Sequence, residues 1–275
     1  MTATDSVTQL KKIAEGREAE IFEYGDGLVL RLFRPGRTLQ HAEVQAAILQ
    51  TAADAGVRVP AVHGVETVDG RAGIVMERIE GRDLFELIAS KPWRVFSLSG
   101  LTARLQANMH DQTAPPALPP ARESRRRAAS SSGAPQEFID AALEALDRLP
   151  DGDRLLHGDF HPGNIMLGDQ GPVIIDWTDA MRGSPEAGFA RTMMILRLGA
   201  PPPNLPLLIR FLALFARTLM IRTYNRTYRK NIAVDEELLR AWQLPIAVAR
   251  IGEGYVDERE KLDKHIRELI ARDPA

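Results

Sequence analysis

The segment Leu156-His157-Gly158-Asp159-Phe160-His161-Pro162-Gly163-Asn164-Ile165-Met166-Leu167, answered downstream by Val173-Ile174-Ile175-Asp176-Trp177, restricts this chain more than any other stretch. Apolar Ile165 to Leu167 and Pro172 to Ile175 flank Gly168-Asp169-Gln170-Gly171, a run with the turn chemistry of a β-hairpin. A hairpin returns its ends to one another, so Asn164 and Asp176 are expected to face one site although they are distant in sequence. Asp159 sits on the Gly/Pro-punctuated loop that leads into the first strand. A carboxylate there can accept a proton from an attacking hydroxyl, while an amide oxygen and a second carboxylate are hard donors of the kind Mg²⁺ takes. Each residue also has a plainer reading: Asp159 as a turn residue, His157 and His161 as satisfied core histidines, Asp176 as a strand-end cap.

The rest of the chain narrows the choice. At 275 residues, 44% hydrophobic and 26% charged, it can bury one large core or two smaller ones and has no disordered composition. A formal net charge of −2 argues against bulk nucleic-acid binding, which needs a basic excess. The absence of cysteine excludes disulfides, thiolate metal sites and a cysteine nucleophile. The first residues lack the basic and apolar regions of a signal peptide, and the apolar run 205–221 is interrupted by Pro206, Arg210 and Arg217. The expectation is a cytoplasmic protein with no membrane span.

Taken in order, residues 9–34 read as β structure, with 19–24 and 27–33 as strands around the Gly25-Asp26-Gly27 turn. The preceding stretch Ala14-Glu15-Gly16-Arg17-Glu18-Ala19-Glu20 is a one-glycine turn, either a plain hairpin loop or one that drapes its N–H groups over phosphates. Arg31 stands alone among the apolar residues of its strand. A helix follows over 38–55, with its apolar face read from Val44, Ala47, Ile48 and Ala52 and closed by Gly56. Glu43 near its start is either a solvated face residue or the carboxylate that orients Arg31. Strands over 59–65 and 71–78 are joined by Asp69-Gly70, and Glu77-Arg78-Ile79-Glu80-Gly81 runs out into the domain boundary. This yields an N-terminal lobe of residues 1–79 and a lobe of residues 80–275.

The second lobe is mainly helical: 83–89, 95–110, 135–149, then 185–198, 204–229, 235–250 and 255–271. Residues 112–135, rich in Pro, Ala, Ser and Arg, read as a surface loop with room for a short helix. The arginines at 122, 125, 126 and 127 read there as a solvated charge run. Fold class is therefore α+β, with a small β-rich lobe carrying one long helix and a larger helical lobe.

Glycine turn, strand cation, helix glutamate, linker, His-x-Asp-x-x-x-x-Asn, hairpin and Ile-Asp-Trp occur together and in that order. The Asp-to-Asn spacing equals that of the kinase catalytic loop. His157-Gly158-Asp159-Phe160-His161-Pro162-Gly163-Asn164 with Ile175-Asp176-Trp177 resembles the aminoglycoside phosphotransferase and choline kinase-like family, whose fold is protein-kinase-like. The resemblance runs from about Leu10 to the helices after Ser184. It implies ATP or GTP bound between the lobes, two Mg²⁺ ions, and transfer of the γ-phosphoryl to a small-molecule hydroxyl. By position it makes Asp159 the catalytic base, gives His157 the task of shaping the loop, and makes Asn164 and Asp176 the metal ligands. Arg31 takes the place of the usual phosphate-steering lysine, with Glu43 as partner. The nucleotide would be held by Gly16 and Arg17, by Ile21, Val29, Met166 and Ile175 around the base, and by the backbone of Glu77 to Ile79 at its edge.

Two departures bear on activity. Arginine replaces lysine at 31, and the two cations are not interchangeable. Gly188 stands where related chains carry an aspartate that braces the catalytic loop. These departures and the sparse glycine loop motivate an alternative, a catalytically weak nucleotide-binding or regulatory module. A protein kinase is disfavoured, because only Trp177 to Gly183 separates Asp176 from the next helix. For a polycationic acceptor the candidate ligands are Asp179, Glu186, Glu253, Asp257 and Glu258. For an anionic one, the candidate is a basic helix face with Arg217, Arg222, Arg226, Arg229 and Lys230 interleaved by Tyr224 and Tyr228; the plainer reading of both sets is solvated surface charge. The sequence leaves acceptor, base preference and oligomeric state open.

Overall fold

The computed structural model describes residues 6–16, 18–198 and 207–272, the side chains of 207–213 apart. In chain order the elements are β1 (Lys12–Glu15), β2 (Ala19–Glu23), β3 (Leu28–Phe33), α1 (Leu39–Asp54), β4 (Val62–Val68), β5 (Arg71–Glu77) and β6 (Arg82–Asp83). There follow α2 (Leu84–Ser90), α3 (Val95–His110), α4 (Ala121–Ser130), α5 (Gln136–Arg148), β7 (Arg154–Leu156), β8 (Ile165–Gly168) and β9 (Gly171–Ile174). Last come β10 (Met181–Gly183), α6 (Pro185–Leu198), α7 (Leu207–Asn231), α8 (Glu236–Ile251) and α9 (Arg259–Arg272). The chain divides into two compact units, residues 1–83 with 164–178, and residues 84–163 with 179–275. In this division the β8–β9 hairpin groups with the N-terminal strands.

The first unit is built on an antiparallel sheet ordered β1-β2-β3-β5-β4. Strand periodicity sorts its side chains to two faces. Val29, Phe33, Ala72, Ile74 and Met76 pack with Ala42 and Ala46 of α1 on one face; Phe22, Leu30, Leu32, Val68 and Val75 form the other. Two hairpins turn at residues with positive φ, Gly25 and Gly27 (74° and 72°) and Asp69 and Gly70 (49° and 71°), the backbone that tight strand connections require. A second, three-stranded sheet pairs β6, β8 and β9.

Helix α1 corrects the sequence reading. Thr38 caps it by accepting from the His41 N–H at 3.2 Å. Its inner face is Ala42, Gln45, Ala46, Leu49 and Ala52, so Val44 and Ala47 point outward, Val44 at 51% exposure. The alanine-rich composition offers two competing faces, and the sheet selects the one with the smaller side chains, which let the helix approach closely.

The second unit surrounds a helical core that includes Phe138, Phe189, Tyr224, Tyr228 and Trp242. The Phe189 and Tyr228 rings lie parallel, with centroids 4.2 Å apart. Tyr224 and Tyr228 are fully buried, whereas Arg222 and Arg226 are exposed on the opposite side of α7. Tyr224 and Tyr228 therefore do not share a binding face with Arg222 and Arg226, unlike an interleaved reading of α7, whereas Arg229 packs over the Phe189 ring. Residues 112–135 hold a short helix, α4, for which the sequence left room, but against expectation its Ala121, Arg125 and Ala129 are buried at i, i+4 and i+8. Its other arginines do lie toward solvent, Arg122 pairing with Asp151, Arg127 with Glu123 at 2.9 Å, and Arg126 with Asp147.

Candidate active site

In the first unit the β8–β9 hairpin pairs Ile165 with Ile174 and Gly168 with Gly171, and the Ile175 N–H donates to Asn164 O at 3.0 Å. The ends of the hairpin thus bring Asn164 alongside Ile175 and Asp176. Asp176 takes a left-handed backbone (φ 61°) that turns its carboxylate outward, 52% exposed. Arg31 lies opposite Ile21 and Ile74 in the sheet and reaches Asp176 Oδ1 (3.2 Å) and Thr178 Oγ1 (3.0 Å) through one guanidinium nitrogen. Thr178 Oγ1 also donates to Asp176 Oδ1 at 2.9 Å.

The partner expected for Arg31 is different. Glu43 is exposed on the outer face of α1, and Asp176 pairs with the arginine instead. The inner helix position belongs to Gln45, 6% exposed, whose amide donates to Thr178 O at 3.5 Å. A neutral amide there needs no countercharge.

Of the residues expected around a nucleotide, Val29 is buried while Ile21, Ile79, Met166 and Ile175 are partly so. The Arg78 N–H donates to Gly27 O at 2.9 Å, so the middle peptide of the Glu77-to-Ile79 edge is committed to the sheet. The Glu77 carboxylate holds Arg58 at 2.5 Å and is lowered below the usual range by that bond. Gly16 donates its N–H to Ala19 O at 2.9 Å and has an ordinary backbone, so the β1–β2 turn is closed as a hairpin. Arg17 lies outside the described residues.

In the second unit, Asp159 is half-buried on a loop held from several sides. Its own N–H donates to Nδ1 of buried His157 at 3.3 Å. The Gly163 N–H donates to His161 Nδ1 at 3.1 Å, which places the proton of a neutral His161 on Nε2, 3.6 Å from Asp159 Oδ2. The Gly158 carbonyl accepts from Arg125 at 3.2 Å and from Arg191 Nε at 3.3 Å. Thr192 Oγ1 donates to Phe160 O at 2.9 Å and itself accepts from Gln106, which bonds Tyr224 in the core. Gly158 has φ 84°, and a Cβ there would lie 2.0 Å from Asp179 O, so only glycine fits this bend.

Arg191 also donates to Asp159 Oδ1 at 3.0 Å. Burial pushes the Asp159 carboxyl up, but His161, Arg191 and His157 outweigh it and hold it well below the usual carboxylate range. The support expected to be lost without an aspartate at 188 is supplied by other donors, Arg125, Arg191 and Thr192. Gly188 makes room for His110, whose Nε2 would lie 2.5 Å from a Cβ at that position.

These features bear on ancestry. The model of the phosphotransferase enzyme family matches residues 9–220. The chain belongs to that family. Among solved structures it is similar to a thermostable mutant of aminoglycoside phosphotransferase APH(4)-Ia, at 17% identity over 96% of this chain and 94% of that one, with a TM-score of 0.64. It is also similar to APH(3'')-Id from Streptomyces rimosus in complex with ADP and streptomycin (15% identity, 90% and 94% covered, TM-score 0.58). A third likeness is to a choline/ethanolamine kinase family protein from Mesorhizobium loti (16% identity, 96% and 86% covered, TM-score 0.56). No curated protein matches the chain. The shared fold is the protein-kinase-like one expected from the motifs.

Within this phosphotransferase the donor set is consistent with Mg²⁺. Asn164 and Asp176 offer hard oxygens, and an ion that keeps several waters and phosphate ligands needs only one or two protein donors. No cluster of three His, Cys, Asp or Glu suited to an all-protein metal cage occurs among the described residues. None of the described helices is long and apolar enough to cross a membrane.

Sequence reasoning missed Arg125 and Arg191. Arg125 had a signal, its i±4 spacing from Ala121 and Ala129 in an otherwise charged segment. Arg191 had none, since nothing in Phe189-Ala190-Arg191-Thr192 distinguishes a buried arginine from a surface one.

Proposed function

We propose that the protein transfers the γ-phosphoryl group of ATP or GTP to a hydroxyl of a small molecule. The observation that carries this reading is the loop around Asp159: two arginines, a histidine and a threonine fix its backbone and present one carboxylate. Membership of the phosphotransferase family supports it. Residues 1–79, together with the β8–β9 hairpin, act in this reading as the nucleotide lobe, and the rest of residues 80–275 as the catalytic and acceptor lobe.

Asp159 orients the acceptor hydroxyl and takes its proton. A carboxylate held this far below its usual range is a weak base, which suits phosphoryl transfer, where the loose transition state asks mainly for positioning and charge neutralisation. His157 keeps the loop in shape. Asn164 and Asp176 would hold Mg²⁺, which would neutralise phosphate charge. Arg31 contributes a fixed cation beside Asp176, and Ile21, Val29, Met166 and Ile175 provide apolar surface for the base.

Of the five carboxylates considered for a polycationic acceptor, three are already engaged, while Asp179 and Asp257 are exposed. Glu253 pairs with Arg191 and Arg250, Glu258 with Arg250, and buried Glu186 accepts from the Asp235 N–H. This favours an uncharged or anionic hydroxyl compound. The alternative, a weak nucleotide-binding module, draws on Arg31 having no helix glutamate.

Asp159→Asn tests the reading. ADP release in the presence of Mg-ATP and an accepted hydroxyl compound is expected to fall by about 10²- to 10⁴-fold, with nucleotide affinity by calorimetry within about threefold of the parent. Undiminished turnover overturns it.

A further inference from the structure

We propose that Arg191 is the positioning residue of the catalytic loop, locking the Gly158 carbonyl and the Asp159 carboxylate into one geometry, with Glu253 locking Arg191 in turn. This rests on the reading of Asp159 as the residue that takes the acceptor's proton. Arg191 is 3% exposed, and its planar guanidinium is used on both sides. One side addresses the loop, Nε to Gly158 O and a terminal nitrogen to Asp159 Oδ1. The other addresses Glu253, which accepts a 2.9 Å hydrogen bond from the terminal nitrogen that also bonds Asp159 and lies 2.7 Å from the second terminal nitrogen as an ion pair.

Glu253 is not a loose partner. Arg250, 5% exposed, donates to it at 2.6 Å and grips buried Glu258 through two further bonds of 2.9 and 3.0 Å. Five alternating charges, Asp159, Arg191, Glu253, Arg250 and Glu258, thus connect the catalytic carboxylate to the segment that joins α8 to α9. A surface ion pair would contribute little, but buried, forked pairs fix orientation as well as charge. The arrangement also sets two cations, Arg125 and Arg191, against one Gly158 carbonyl. Burial and Arg191 together push the Arg125 guanidinium down to about 10. A fold with no use for that carbonyl's orientation would not accumulate two buried cations on it.

The groups facing Asp159 are His157 and His161 on its own loop, Arg191 on α6, Arg125 on α4, Asp179 after β9 and Glu253 after α8. Arg191 bonds the carboxylate directly, beside His161 on the loop itself. The role of Arg191 is thus to keep Asp159 ionised and aimed, a function that a merely structural arginine would not have.

The test uses the full chain as wild type, Arg191→Met, Arg191→Lys and Glu253→Gln, with carboxyl-¹³C-labelled aspartate and Asp159→Asn to assign the resonance. In wild type the Asp159 signal is expected to stay at its ionised position down to the acid limit of the folded protein. In Arg191→Met its midpoint rises by about one pH unit or more, with Arg191→Lys between the two. With an accepted substrate, kcat falls about 10²-fold in Arg191→Met while the KM for nucleotide stays within about threefold. An unmoved carboxyl midpoint overturns the proposal, as does a nucleotide KM that changes in step with kcat. Should Arg191→Met not fold, Glu253→Gln carries the test, since it leaves the guanidinium but removes its anchor. A measurable rise of the Asp159 midpoint then supports the proposal, and an unchanged midpoint overturns it. The NMR readout needs no turnover, so an active Asp159→Asn overturns the functional reading while leaving the role of Arg191 toward the carboxylate separately decided.

Discussion

At the scale of single residues, the second unit keeps one histidine neutral by force. His110 is fully buried, is hydrogen-bonded through Nδ1 to the Tyr228 hydroxyl at 2.6 Å, and has no hydrogen-bond partner at Nε2. Burial pushes its imidazole down to about 3 from an ordinary 6.5. The unfolded chain therefore binds a proton that the folded chain refuses, so stability is intact above pH 6.5 and is lost as pH falls toward 3. His265 and His41 are lowered by burial in the same direction, and the carboxylates whose stabilisation also fails in acid lose it at lower pH. Unfolding free energy from urea titrations is expected to drop between pH 6.5 and 5. In His110→Gln that slope should be shallower by up to about 1.4 kcal/mol per pH unit. An unchanged slope would mean that His110 is protonated in the folded state.

At the scale of elements, α1 and α4 show where periodicity misleads. In α1 the phase was read from Val44 and Ile48, yet the buried face carries alanines and Gln45. The choice can be checked directly. Leu49→Ala, which empties a packed site, should cost about 2–5 kcal/mol, whereas Val44→Ser should stay within about 0.5 kcal/mol, both read from denaturant midpoints. Equal costs would contradict this phase. In α4 a run of arginines looked uniformly solvated, and three of them are, but the helix turns Arg125 inward to the Gly158 carbonyl. The hairpin 165–174, by contrast, was legible, because a short Gly-bounded connection with Gly171 at φ 102° between two apolar runs leaves little freedom.

At the scale of the whole molecule, the balance of charge bears on the acceptor. A net charge of −2 conceals the fact that carboxylates of the helical unit meet arginines of the same unit. A polycation would have to displace Arg191 or Arg250 to reach Glu253 or Glu258, at the cost of leaving buried cations unpaired. Across a panel of hydroxyl compounds, kcat/KM from ADP release is expected to be at least about tenfold higher for some uncharged or anionic compound than for any aminoglycoside. A preferred aminoglycoside would overturn that expectation without touching the assignment of Asp159.

The sequence by itself determined the family, the protein-kinase-like fold, and the loop, hairpin and metal-ligand candidates, because these rest on turn chemistry and on residue spacings that leave few backbone solutions. Tertiary structure alone decided which charges meet. Arg31 pairs with Asp176 across 145 positions and bypasses Glu43, and Arg191 joins Asp159 to Glu253. An arginine looks the same in sequence whether it is buried or solvated. Its partner is set by which helix face packing turns inward, and for α1 and α4 that depended on close contact with neighbouring elements distant in the chain.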